Sequence, residues 1–123
     1  MHDRRRIGDV GEQIAGDFLT SQGLLILEKQ YKKSFGEIDL ICQDGEEVVF
    51  VEVKTRRTPV FGYPEDSVTE EKIRHILHVA EVYLQEKHLC ASSWRIDVIA
   101  IEYQKELPKI THLKNIDIPE TLW

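Results

Sequence analysis

The stretch Gly36 to Arg56, GEIDLICQDGEEVVFVEVKTR, constrains this chain more than any other. Two runs rich in β-branched and apolar residues flank Asp44-Gly45, a strong hairpin-turn signal. Strand side chains alternate between faces, so Glu37 shares a face with Asp39, and Glu52 with Lys54. Ile38, Leu40, Val49, Val51 and Val53 fall on the other face and form a core surface. The turn decides whether the two charged pairs meet. A four-residue loop, Asp44 to Glu47, pairs Gln43 with Val48 and sets Asp39 opposite Glu52 and Glu37 opposite Lys54. A two-residue Asp44-Gly45 loop shifts the pairing by two and keeps all four on one face, whereas a three- or five-residue loop separates them. Val48 and Phe50 share the charged face, so it is not a plainly solvated one. Asp39 and Glu52 would also be like charges where like charges destabilise a sheet. A cation between them would relieve that cost. Two carboxylates beside a lysine suit Mg²⁺, which takes hard oxygen ligands.

The rest of the chain reads as one domain, residues 1–123, a length that supports a single core. Ile7 to Gln22 reads as a helix with a Val10, Ile14, Phe18 stripe widened by Ala15 and Leu19. Leu24 to Tyr31 reads as a first strand, Glu37–Gln43 and Val48–Thr55 as the hairpin. Pro59, Gly62 and Pro64 mark a loop. A second helix begins near Ser67–Thr69, with Ser67 and Glu70 at capping-box spacing, and carries an Ile73, Ile76, Leu77, Ala80, Leu84 stripe to Lys87. Trp94–Tyr103 is a strand, and Ile110–Leu113 a weaker last one. The expected class is α/β: helix, three strands, helix, one or two strands, as a mixed sheet with flanking helices.

Composition narrows the function classes. The net charge of −6 argues against coating nucleic acid through global charge, but the basic residues are clumped in Arg4–Arg6, Lys29/Lys32/Lys33 and Lys54/Arg56/Arg57. The apolar runs are too short to span a bilayer, and Met1–Arg6 is followed by Gly8 and Asp9, so neither membrane span nor signal peptide is expected. Cys42 and Cys90 lack metal-finger spacing and read as reduced thiols of a cytoplasmic protein. His75 and His78 miss the i, i+4 spacing of helical zinc ligands. Arg95 and Asp97 share a strand face, as a supporting ion pair or as part of a site. Tyr31, Phe35 and Tyr63 read as packing residues.

Asp39, followed after the turn by Glu52-Val53-Lys54, resembles the PD-(D/E)xK nuclease motif. Ile38-Asp39-Leu40-Ile41 ahead of Val49-Phe50-Val51-Glu52-Val53-Lys54, with Gly36-Glu37 before and Thr55-Arg56 after, resembles the bacterial YraN-like family. Gly8, Gly11-Glu12, Gly62, Lys72, Ala80, Arg95 and Asp97 extend the resemblance over most of the chain. Two positions depart from it: Glu37 stands where many nucleases have proline, and Gln30 where asparagine is expected.

The resemblance implies a restriction-endonuclease-like core, similar to that of Holliday-junction resolvases, and cleavage of DNA, branched or recombining DNA included, with Mg²⁺ or Mn²⁺. Asp39, Glu52 and the Val53 carbonyl would hold the metal, with Glu12 a further acid of the catalytic set. Lys54 would position water and stabilise phosphate charge, since nearby carboxylates work against a lysine acting as base. Glu37 would be a supporting acid or a partner of Lys54. Arg56, Lys72 and Lys32 would contact the substrate backbone. Resolvases cut two strands, so the resemblance also points to a homodimer. The alternatives are a binding module on the same fold with weak or absent cleavage, and a protein whose hairpin charges are structural only.

Overall fold

The computed structural model describes residues 4–56, 68–103 and 107–123, with side chains from Asp9 onward. Pro59, Gly62, Tyr63, Pro64 and Ser67 lie outside the described residues, as do the side chains of Arg4–Gly8. The elements are α1 (Arg4–Ser21), β1 (Leu25–Lys33), β2 (Gly36–Asp44), β3 (Glu47–Arg56), α2 (Glu70–Glu86), β4 (Trp94–Tyr103) and β5 (Pro108–Leu113), followed by a short 3₁₀ turn at Glu120–Leu122. The strands form one five-stranded sheet in chain order. β3 and β4 are parallel, with α2 between them in sequence, and the other neighbours are antiparallel. This is a mixed α/β architecture with an open sheet flanked by two helices.

Two apolar clusters hold the helices to the sheet. Ala15 and Leu19 of α1 pack with Leu40, Cys42, Val49, Val51, Ile99 and Ile101. Ile73, Ile76, Val79, Ala80, Tyr83 and Leu84 of α2 pack with Ile38, Ile41, Val48, Phe50 and Ile96. Both faces are therefore covered. This explains why Val48 and Phe50 share a face with charged residues: it is the inner face under α2, and Phe50 is fully buried there.

The α1 stripe differs from the sequence expectation by one residue. Val10 is 49% exposed, while Ala15 and Leu19 are fully buried. The contact line runs through Gly11, Ala15 and Leu19. At Gly11 the helix comes so close to β3 that an added Cβ would collide with the Thr55 side chain. A glycine that looks like a helix weakness is thus the point of closest packing. The second helix is capped by Thr69, whose hydroxyl accepts from the Lys72 N–H at 3.2 Å. Its stripe includes Val79 and Tyr83, and Leu77 lies only partly buried at its rim.

The hairpin register pairs Gln43 with Val48, as for the four-residue loop, and one further pair, Asp44 with Glu47, tightens the loop to Gly45-Glu46. Gly45 takes φ +61 there, which a side chain would disfavour. The alternative Asp44-Gly45 loop is not formed. The ladder runs only to Leu40↔Val51. Beyond it the strict alternation of β2 breaks: Ile38 joins the α2 cluster with Ile41, while Leu40 lies in the α1 cluster. The single core face read from the sequence is accordingly divided, with Ile38 on the other side from Leu40, Val49 and Val51.

Candidate metal centre

Asp39 sits where the β2–β3 ladder has stopped. Its Oδ2 accepts the Val53 N–H at 2.8 Å, so a carboxylate stands where a strand carbonyl would otherwise pair. With the alternation lost, Asp39 lies at the strand edge, near Glu52 and within reach of α1. There Glu12, Glu37 and Asp39 each offer a carboxylate oxygen, all within 4.8 Å of one another. Such spacing fits hard oxygen ligands gathered around one small divalent cation, whose own bonds are about 2.0–2.6 Å long.

Burial and crowding make this trio costly when all its members are ionised. Desolvation, then repulsion from Glu52, pushes the Asp39 carboxyl up to about 7, partly opposed by the Val53 N–H. Desolvation also raises Glu12 to about 7, opposed by its hydrogen bond from Gln30 and reinforced by the charge of Asp39. The nearness of Asp39 raises Glu12 further, while Glu12 offsets part of the rise at Asp39. A cation placed among them would remove the repulsion that holds the proton.

Glu52 faces a different environment. It is 4% exposed, on the α2 side of β3. Lys72 Nζ lies 3.3 Å and Lys54 Nζ 3.6 Å from its Oε1. The two- and four-residue loops read from the sequence would keep Glu37, Asp39, Glu52 and Lys54 on one face. The structure splits them into an acid trio that includes Glu12 and a glutamate held by two lysines, with Asp39 at the junction. Lys72 touches the carboxylate of Glu52 itself, a contact that its assignment to the substrate backbone did not foresee. Of Val53, the group joined to Asp39 is the N–H. Lys32 is exposed and stands opposite Glu37 in the β1–β2 register. Arg56 ends β3, and its Nη1 is buried with no hydrogen-bond partner among the described residues.

Gln30 is a contributor that sequence reasoning noted only as a departure. Its Nε2 donates to Glu12 Oε2 at 2.8 Å and to Asp9 Oδ1 at 3.1 Å, fixing the α1 carboxylates against β1. Its φ is +49, between the Lys29↔Leu40 and Tyr31↔Ile38 pairs of β1 and β2. Asparagine tolerates that left-handed conformation better than most side chains, which accounts physically for the residue expected there.

Other charges lie elsewhere in the fold. Asp97 is fully buried and accepts from Arg95 Nε at 3.0 Å and the Asn115 N–H at 2.9 Å, with His112 Nε2 at 2.8 Å. Arg95 also reaches Glu47 at 2.7 Å and Asp44 at 3.1 Å. These contacts tie the hairpin turn to β4 and the segment after β5, which is the supporting ion-pair reading of Arg95 and Asp97. Lys33 is held by Glu86 at 2.8 Å, and Tyr31 packs edge-on against Tyr83. Phe35 is 45% exposed, rather than packed in the core.

The sequence pattern of the uncharacterised protein family UPF0102 matches residues 11–101, which takes in α1 from Gly11, the hairpin, α2 and most of β4. The chain belongs to this family. It is 44% identical to a UPF0102 protein of Dictyoglomus turgidum over 99 residues, covering 80% of this chain and 84% of the relative. A UPF0102 protein of Mycolicibacterium vanbaalenii is 39% identical, covering 92% and 94% of the two chains. One from Syntrophus aciditrophicus is 40% identical, covering 94% and 91%. The YraN-like resemblance is thus established at the level of UPF0102 membership. In this UPF0102 chain, the matched segment contains Glu12, Gln30, Glu37, Asp39, Glu52, Lys54 and Lys72. No helix among the described residues is long and apolar enough to cross a membrane.

Proposed function

We propose that this UPF0102 chain is a divalent-metal-dependent endonuclease that hydrolyses DNA phosphodiester bonds on a restriction-endonuclease-like core. The observation that carries the reading is the position of Asp39. It stands at the end of the β2–β3 ladder, anchored by the Val53 N–H, with Glu12 and Glu37 on one side and Glu52–Lys54 on the next strand. An ordinary solvated hairpin face has no reason to bury Glu52, or to crowd three carboxylates into one spot.

Asp39 and Glu52 would hold Mg²⁺ or Mn²⁺ with the Val53 carbonyl, and Glu12 and Glu37 would complete the acid set from the α1 side. When bound, such a cation neutralises phosphate charge and lowers the pKa of a water. The chain's own groups do the rest. Val53 N–H and Gln30 fix the aim of Asp39 and Glu12. Lys54 orients the attacking water and offsets negative charge growing on the phosphate as the new P–O bond forms and the sugar–oxygen bond to phosphorus breaks. Arg56, at the end of β3, and Lys32, on β1, would contact the substrate backbone. Branched DNA is the proposed substrate, and a homodimer would serve a two-strand cut.

Calorimetric titration of Mg²⁺ and Mn²⁺ into wild type and Glu52→Ala, with and without DNA, tests the site. Saturable binding that is lost in the variant supports it. No binding by wild type, even with DNA, rejects it and leaves the charged hairpin as a structural device.

A further inference from the structure

Lys72 is an unusual choice for its position. It lies in the first turn of α2, three residues after the Thr69 cap, where the helix dipole favours acids such as its neighbours Glu70 and Glu71 and disfavours a cation. Its side chain is 41% exposed, yet its Nζ is brought to 3.3 Å from the Oε1 of nearly buried Glu52. Lys54 also approaches Glu52, but from two residues along the same strand, so the backbone fixes its place. Lys72 comes from a separate element on a long side chain with open solvent beside it. A buried carboxylate without a cation is costly, and two lysines are more than one carboxylate needs.

We propose that Lys72 is an exchangeable placeholder for the metal. In the metal-free protein it neutralises Glu52, and when a divalent cation takes that carboxylate, the freed ammonium moves to a substrate phosphate. The inference rests on the nuclease reading of the site and adds a coupling to it. Metal must displace Lys72 from Glu52, and DNA offers the displaced charge a new partner, so each ligand favours the other. Lys72 is then a positioning residue before metal binds and a phosphate contact afterwards.

The test is calorimetric titration of Ca²⁺, a cation with the same preference for hard oxygen ligands, into wild type, Lys72→Met, Lys72→Gln and Lys72→Arg. Each is measured alone and with a short DNA duplex, and a gel confirms that the duplex stays intact. Without DNA, Lys72→Met and Lys72→Gln bind Ca²⁺ about three- to tenfold more tightly than wild type, the range expected for removing one partly exposed competing ion pair. The factor by which DNA tightens Ca²⁺ binding shrinks in both variants and is retained in Lys72→Arg. Unchanged melting temperatures show that the fold is intact, and two neutral variants guard against one misfolding. Unchanged or weaker Ca²⁺ binding by the folded neutral variants, with wild type binding normally, overturns the placeholder role alone. Wild type that binds no Ca²⁺ in either condition overturns both this role and the nuclease reading.

Discussion

The Asp39 carboxylate accepts the Val53 N–H at 2.8 Å at the point where the β2–β3 ladder has ended after Leu40↔Val51. A side chain thus does the work of a strand carbonyl and fixes its own direction. Asp39→Asn retains an oxygen for that N–H, whereas Asp39→Ala leaves a part-buried donor unpaired. The alanine variant is expected to be less stable than the asparagine one by about 1–3 kcal/mol, by urea unfolding. Equal stabilities would mean that water serves Val53 as well as Asp39 does.

The acid pair predicts an unusual pH response. Glu12 and Asp39 rise from ordinary values of 4.5 and 3.8 to about 7, chiefly through desolvation. The folded state then binds more protons than the unfolded state between about pH 4 and 7. The stability these groups contribute is present below that window and is lost as pH rises through it. The melting temperature of wild type without metal should fall between pH 5.5 and 8 relative to a Glu12→Gln/Asp39→Asn double variant. A constant difference between the two proteins over that range would refute the assignment. Divalent cation binding at pH 6 should also release protons, measured from the dependence of calorimetric heat on buffer ionisation enthalpy.

Gly11 and Gly16 of α1 should respond oppositely to alanine. An added Cβ at Gly11 meets the Thr55 side chain, while nothing lies within 4 Å of one at Gly16. Gly16→Ala should stabilise the protein by about 0.5–1 kcal/mol through helix propensity. Gly11→Ala should destabilise it by about 1–3 kcal/mol, because α1 must withdraw from β3. Chemical denaturation of both variants checks this, and a stabilised Gly11→Ala would show that Thr55 yields freely.

Asp97 should be costly to remove. Asp97→Ala leaves Arg95 and His112 facing an emptied buried position, and a loss of about 3–5 kcal/mol is expected. Metal binding should persist in whatever fraction stays folded, since these residues are not among the acids gathered at Asp39. Loss of metal binding from a folded variant would place Asp97 in the site after all.

Local signals made much of this fold legible. Trp94–Tyr103 announced itself by its β-branched residues, and the hairpin by Asp44-Gly45 between apolar runs. The Gln43↔Val48 register was one of the open alternatives, because loop length alone does not choose between them. What local pattern could not give was set by packing between distant segments. Val10 looks like a core residue until Gly11 is seen against Thr55. Ile38 looks like a neighbour of Leu40 until the ladder ends and the strand turns over. Gln30 reaches Glu12 across the α1–β1 interface, and Lys72 reaches Glu52 from another element. No spacing within either segment encodes those contacts.

The most direct measurement is single-turnover cleavage of a four-way DNA junction in Mg²⁺ by wild type, Asp39→Asn and Glu52→Gln, alongside junction affinity in Ca²⁺. Wild type is expected to cut the junction, and both variants to lose at least about 100-fold in rate while binding it nearly as well. Junction binding without cleavage by wild type, or cleavage at equal rates by all three proteins, would contradict the nuclease reading.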